Sequence, residues 1–456
     1  MNIAQAGTDR VAVRRLLTRL GIGTSYIASS AFLARGLNAL TTLVIARYLG
    51  AASLGGFGLL QQTVGAFTAV GALGLGVTAN RFIARDRDTD PHRAALILAL
   101  VQRVALMSGV AAGTVLLVSA PWLSVRITGT SSLVRLFVLG APCALLASLS
   151  SVQVGALVGF EAFARVAIVT LAPAAVTFLA ASAGAIAAGI EGAVIGQIAG
   201  LLCAYLTGGV LLRRTVANSG LPRVIGSPWR EVRTLWMFSV PALLCTIAVT
   251  STQWICAAML ASTPDGLVAL GVYSAAYQLC GAVVFLPIAF GNAGFPVLSN
   301  VAAEGNPAVV GRLVYLKCLI AAGVALAFSI IVAAVPNILG RIYGPGFQDT
   351  GLLLGPVLIL AIFMAAGTIL WQALAAMGRM WWLATLNGAA SLVTIALTWQ
   401  WRVHGATGLA SAAMVAQILM VGVQTVLVSR AVRGLADERE RVARDLSPAA
   451  APADVV

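Results

Sequence analysis

Along most of this chain apolar residues follow one another without the two-residue alternation of a half-buried strand. The runs last about 20 residues or more before a charge or turn residue interrupts them. That is the length a helix needs to cross about 30 Å of hydrocarbon, and its continuity excludes the alternating segments of a membrane barrel. Twelve runs are drawn, with cores at 22–47, 56–83, 94–119, 133–156, 163–187, 190–212, 235–260, 269–298, 313–335, 352–376, 381–401 and 406–428. Gly and Ala fill them, and the 47 glycines read as close helix packing in lipid. No Walker or dinucleotide pattern accompanies them. The first run follows Arg10, Arg14, Arg15 and Arg19 and is longer than a secretory apolar core of about 7–15 residues, so it is expected to be retained as a span.

Composition agrees with this pattern. Apolar residues make up 60% of the 456 and charged residues 10%, against about 45–50% and about 25% in soluble domains. Six cysteines (Cys143, Cys203, Cys245, Cys256, Cys280, Cys318) lie within or at the start of runs with no CxxC spacing, which points to packing rather than metal or disulfide chemistry.

The net charge of +14 invites a nucleic-acid reading until the cations are sorted by segment. With a cytoplasmic N-terminus, 22 of the 29 Lys and Arg fall on that side, Arg47, Arg126, Arg135, Arg341 and Arg402 fall on the other, and Arg35 and Arg103 lie inside spans. The excess of positive charge in cytoplasmic loops explains the balance with no nucleic acid, and it predicts both termini on the cytoplasmic side.

The chain also repeats itself. LGGFGLLQQ from Leu54 and LGVYSAAYQ from Leu270 share Gly55 with Gly271 and Gln62 with Gln278, each 216 apart; Gly189 with Gly405 and Arg214 with Arg430 keep that offset. Ala156 and Leu157 sit 217 before Ala373 and Leu374. Six spans separate equivalent positions, so the halves share one orientation about an axis along the membrane normal. The expected fold is an all-α polytopic membrane protein of twelve transmembrane helices. Two pseudo-symmetric six-helix lobes, 1–215 and 232–430, flank a central cavity and are joined by a cytoplasmic linker at 216–231, with a partly disordered tail at 431–456.

The segments IARYLGAASLGGFGLLQQ at 45–62 and GALGLGVTANRFIAR ending at Arg85 resemble the opening helices of the polysaccharide-exporter family of oligosaccharide flippases. LGVYSAAYQL at 270, FLPIAFGNAGFPVLSNVAAEG at 285, YGPGF at 343 and ALAAMGRMWWLATLNG at 373 are similar to later segments of that family, in the same order. The resemblance implies membership of a superfamily that also holds the multidrug and toxin extruders and the lipid II flippases. It implies alternating access between two lobes, with spans one, two, seven and eight lining the path.

The polar residues inside the spans are the candidate site. Arg35 stands near the middle of the first span, where an arginine costs about 2.5–3.5 kcal/mol on insertion scales. It shares a helix face with Thr24, Ala28, Ala31, Asn38 and Thr42. Either this face packs and Arg35 binds carbonyls, or its guanidinium receives an anionic headgroup bidentately. Arg103 in the third span snorkels, fixes packing or joins it. Gln61 and Gln62, then Ser251, Thr252 and Gln253, then Tyr273, Tyr277, Gln278 and Asn292 lie on the second, seventh and eighth spans. Their amides and hydroxyls suit sugar hydroxyls and serve helix–helix bonds equally well. Arg81 and Arg85 form a basic rim on the cytoplasmic side.

All 15 acidic residues fall in tails, loops or span ends, where they offer no midplane carboxylate for a proton, sodium or organic-cation site. This favours a flippase for a lipid-diphosphate-linked oligosaccharide in the bacterial cytoplasmic membrane over a multidrug extruder. Short outer loops with Glu191, Asp265 and Asp349 give no acid/base pair for a membrane polymerase or glycosyltransferase, and no cofactor or metal is expected. The expected partners are the lipid-linked oligosaccharide, membrane lipids, and a polysaccharide polymerase with its glycosyltransferases.

Overall fold

The computed structural model describes residues 3–222, 227–293, 298, 301, 307–335, 337–348 and 350–446; within these, the side chains of 3–24, 228, 230, 233–238, 240–242, 245, 292, 293, 380 and 435–446 are outside the description. Twelve helices are named here: α1 (Ile3–Ala72), α2 (Leu75–Asp86), α3 (Pro91–Thr128), α4 (Val134–Gly159), α5 (Phe163–Asn218), α6 (Val232–Ala261), α7 (Gly266–Ala293), α8 (Pro307–Ala333), α9 (Ile338–Tyr343), α10 (Gly351–Ala376), α11 (Met380–Trp401) and α12 (Gly405–Leu446). They are not the twelve predicted spans one for one. Among the described residues, eight helical segments are long and apolar enough to cross a bilayer, and three of them, Ser25–Ala72, Phe163–Asn218 and Trp381–Gly434, hold 48, 56 and 54 residues. Each of the three exceeds twice the ~20 residues of one crossing.

Local chemistry explains the joints. Gly50 in α1 (φ 77°, ψ 179°) and Gly189 in α5 (φ 64°, ψ −146°) adopt backbone angles that a Cβ would oppose, so the helix turns there without a loop. At α3 the start and stop are built from short-range signals. The Asp90 carboxylate accepts from the Arg93 amide at 3.0 Å, Pro91 opens the helix, and Gly129 closes it at φ 69°.

Two expectations need correction. The predicted span 56–83 is broken where Leu73 (φ 47°) and Gly74 (φ 67°) take left-handed conformations in succession, and α2 starts anew. Between the ninth and tenth predicted spans lies the extra helix α9, bracketed by Asn337 (φ 53°) and Gly344 (φ 108°) and anchored by buried Tyr343 and Phe347. The helix α12 runs to Leu446.

The chain packs as two compact units, drawn differently from the halves 1–215 and 232–430. The first comprises 1–278, 337–351 and 394–409; the second comprises 279–336, 352–393 and 410–456. In the first, Leu75, Ile83, Leu100, Val101, Ala156 and Leu157 form a core where α2, α3, α4 and α5 meet. In the second, Leu298, Val310, Leu370, Ala373, Leu374 and Val428 do the same. Outward faces are aliphatic, as in Met107, Val115 and Val118 on α3 and Leu319, Ile330 and Ile331 on α8, as a lipid-facing surface requires.

The sequence repeat is matched in the backbone. Gly189 and Gly405 share φ values of 64° and 60° with ψ of −146° and −135°. Glu161 (φ 56°) and Gly378 (φ 72°), 217 apart, both turn left-handed after α4 and α10. The pairs Ala156–Leu157 and Ala373–Leu374 that precede them are buried alike.

Candidate functional site

On α1, Arg35 and Asn38 are exposed and Thr42 is half-buried, so the polar stripe read from the sequence stands open over its middle turns. The Thr42 hydroxyl donates to the Asn38 carbonyl at 3.0 Å and accepts from the Gln278 amide of α7 at 2.8 Å. Gln278 is thereby a strut between α1 and α7. On the second limb of α1, the exposed Gln61 carbonyl accepts from Gln197 of α5 at 3.0 Å. Thr63 donates to the Leu59 carbonyl and accepts from the Trp254 indole of α6 at 3.0 Å.

Among the other candidates, Gln62 and Ser251 are half-buried, Gln253 is exposed, and Thr252 is buried with its hydroxyl on the Ala248 carbonyl. Tyr273 and Tyr277, one turn apart on α7, stack at 5.7 Å and 24°. Arg103 is exposed on α3, and the Asn292 side chain lies outside the described residues. The structure thus gathers Thr42 with Gln278, and Gln61 with Gln197, by direct bonds. Arg35, Asn38 and Gln253 present polar groups at exposed positions of α1 and α6.

The basic rim is more compensated than its sequence suggests. Arg81 is exposed, but Arg85 pairs with Asp86 and covers the Phe82 ring at 5.2 Å. Asp86 is only 3% exposed, and Arg93 approaches it at 3.9 Å while pairing with Glu231 at 3.1 Å. Arg87 pairs with Glu161 at 2.7 Å and donates to the Gly159 carbonyl at 3.1 Å. The Asp86 hydrogen bond holds the Arg85 guanidinium above its ordinary pKa. Sequence reading found Arg85 and missed the acidic residues that compensate it, Asp86 beside it in the chain and Glu231 in the turn before α6.

Two further features lay beyond sequence reasoning. Lys317, counted with the cytoplasmic flank, is 5% exposed within α8, its Nζ 3.4 Å from the Gly291 carbonyl. The second feature joins the limb of α1 after Gly50 to the start of α7. A methyl group added at Gly55 would collide with the Leu267 carbonyl oxygen, and one added at Gly271 with the Ala51 carbonyl oxygen. Since 51 and 55 are each 216 from 267 and 271, repeat-equivalent residues meet reciprocally, as across a two-fold axis. One turn on, a Cβ at Gly58 would stand 3.7 Å from the Cβ of its equivalent, Ser274. Beside this crossing, Arg47 donates through Nε and Nη2 to the Ile342 and Arg341 carbonyls at 2.7 and 3.0 Å, capping the C-terminal end of α9. Burial pushes the Tyr343 phenol at the end of that helix up to about 12.

Chemically, the described site offers one cation near a span centre, neutral amides and phenols. Every described acidic side chain stands in or beside a turn.

A family model described as "Polysaccharide biosynthesis protein" matches residues 20–302, more than half of the chain. The EPS I polysaccharide export inner membrane protein EpsE of Ralstonia nicotianae is 27% identical over 177 residues, 38% of this chain and 39% of the relative. Its counterpart in Ralstonia solanacearum is 26% identical over 197 residues, 42% and 43% of the two chains. The matched region spans about two fifths of these relatives. Among solved structures, a multidrug resistance MATE family transporter of the MOP superfamily in an inward-facing conformation superposes with a TM-score of 0.78 at 15% identity, covering 90% of this chain and 99% of that one. A MOP superfamily transporter from Pyrococcus furiosus gives 0.66 at 14% identity, covering 91% and 96%. At these identities the likeness carries the fold.

Proposed function

The chain belongs to the polysaccharide biosynthesis protein family, and from that membership we propose that it is a flippase moving a lipid-diphosphate-linked oligosaccharide across the bacterial cytoplasmic membrane by alternating access. The observation that carries this reading is the open polar stripe of α1. It sets one guanidinium, Arg35, at an exposed position of a span, on a face it shares with Asn38 and Thr42. A guanidinium fork fits diphosphate oxygens, and amides and hydroxyls fit the donors and acceptors of a glycan. The lipid tail then stays in the bilayer while headgroup and sugars cross. The export proteins named above support the substrate class. A polymerase and glycosyltransferases would work beside the flippase on the same intermediate. Purified protein in proteoliposomes is expected to carry a lipid-linked oligosaccharide to the opposite leaflet, read by its exposure to an added glycosidase. Exposure at the rate of protein-free vesicles would reject the assignment.

The proposed topology takes each of the three long segments as two crossings and counts α6, whose shorter apolar stretch is Thr246–Ala261, as a span; with the five remaining segments that gives twelve, both termini cytoplasmic and lobes at 1–215 and 232–430. The asymmetry of Lys and Arg supports it. Reporter fusions after Arg126 and after Arg223 are expected to read outside and inside. The opposite pattern, or one side for both, rejects the topology.

A further inference from the structure

We propose that the cytoplasmic end of the seam between α8 and α12 is a seat for an anionic phospholipid of the surrounding bilayer. The headgroup is held between Arg312 and Arg433, and an acyl chain lies along the apolar groove that leads away from them. The inference goes beyond the transport reading and does not depend on the cargo; the side of the membrane is that of the topology above.

The first turns of α8 touch α12 where a Cβ at Gly311 would stand 3.7 Å from Val432 Cγ1. In the proposed topology the two helices run antiparallel. With a step of about 100° per residue, antiparallel helices that meet through Gly311 and Val432 carry the next residues, Arg312 and Arg433, on one side of the seam. On that side α8 exposes Arg312, Tyr315 and Leu319, and α12 exposes Arg433, Ser429 and Val426. On the opposite side Val310, Val314 and Lys317 of α8 and Gln424 and Val428 of α12 are buried. Both exposed stripes change from apolar to basic in the same direction, as a lipid does from chain to headgroup. Tyr315, 70% exposed, stands at the turn between them, the level at which phenols settle in a bilayer.

Charge balance selects an anion. In the first unit the basic rim is compensated by Asp86, Glu161 and Glu231. Among the described residues every ion pair lies in that unit, and no described side chain of the second unit is acidic. The first acid farther along α12, Asp437, lies one turn beyond Arg433. Two guanidiniums flanking one seam fit the oxygens of a phosphodiester. The repeat-equivalent positions, Leu96 and Ala217, are uncharged, so the seat belongs to one half.

Lipid preference beside the seat provides the test. Gly422 is exposed on α12 with nothing within 4 Å of a Cβ, about 10 Å from Ser429 towards the bilayer centre. Gly422→Cys therefore accepts a bimane label, the signal of the chain without that cysteine being subtracted. In phosphatidylcholine vesicles, brominated phosphatidylglycerol is expected to quench the label at a mole fraction at least ~5-fold lower than brominated phosphatidylcholine does. The preference of one interfacial arginine is the lower bound for two. Arg312→Gln with Arg433→Gln should bring the two lipids level. Arg430→Gln, on the face of α12 turned from α8, should leave the preference in place. Equal quenching by both lipids in the parent, or a preference untouched by the paired variant, would overturn the seat. So would a loss with Arg430→Gln as large as with the pair, which means diffuse surface charge. Inorganic phosphate is expected to act no differently from chloride at equal ionic strength; loss of the preference with phosphate alone would mean a site for free anions and overturn the lipid assignment. None of these readings uses transport, so a failure of the flippase reading leaves them standing.

Discussion

Arg35→Ala is expected to abolish polysaccharide export while leaving inserted protein at the parent's level. The side chain is exposed on α1 beside Asn38 and above Thr42, so its removal leaves no core void to fill. A bidentate guanidinium–phosphate contact is two charge-assisted hydrogen bonds, each about 1.5–3 kcal/mol. Losing both corresponds to a fall of ~100-fold or more in the transport step. Arg35→Lys keeps the charge but replaces the fork with a point donor, and it should retain part of the activity, on the order of one tenth. Complementation of a strain lacking surface polysaccharide, with the variant quantified in the membrane fraction, reads both effects. Well-expressed Arg35→Ala protein that complements fully would move the headgroup role to Arg103 and the rim at Arg81 and Arg85.

Gly196→Leu is expected to eliminate folded protein altogether. Its position in α5 is one of several where the limbs on either side of Gly189 meet backbone to backbone. A methyl at Gly196 collides with the main chain of Ala180 and Ala181, and Gly184 and Gly192 oppose each other's carbonyls. Ordinary overpacking costs about 1–3 kcal/mol because side chains shift, but here only whole helices could give way. Gly323→Leu in α8 is the control, since nothing lies within 4 Å of a Cβ there and the residue is exposed. Size-exclusion chromatography of detergent extracts should show a monodisperse peak for Gly323→Leu and none for Gly196→Leu. Equal peaks would mean that the α5 limbs separate freely.

What could be read from the sequence follows from which signals are local. Apolar runs set the spans, and the caps of α3 were written in Asp90, Pro91 and Gly129. The joints at Gly50 and Gly189 were marked only as boundaries between runs, since nothing nearby says that the helix resumes at once. The break at Leu73–Gly74 was hidden by an apolar leucine in a left-handed conformation, which a hydropathy pattern does not register. For the site, residue type identified Gln61, Thr42 and Gln278, but partners are chosen in three dimensions, and neither Gln197 nor Trp254 had a sequence signal. The 216-residue offset marked Gly55 and Gly271 as equivalent; that equivalents touch each other is a property of the fold alone.

That offset also exposes where the halves have diverged. Gly55 faces Gly271, yet Arg35 is matched by Ser251, Gln61 by Tyr277, and Arg103 by Leu319. A carrier for a small, centrally held ion gains from like ligands on both sides. Here the scaffold has kept its duplicate geometry while the charges placed on it differ: Arg35 and Arg103 have no cationic equivalents, and buried Lys317 of α8 is matched by Val101. Under the proposed flippase function, such unlike halves are expected to suit a cargo that is itself unlike at its two ends, charged at one and neutral at the other.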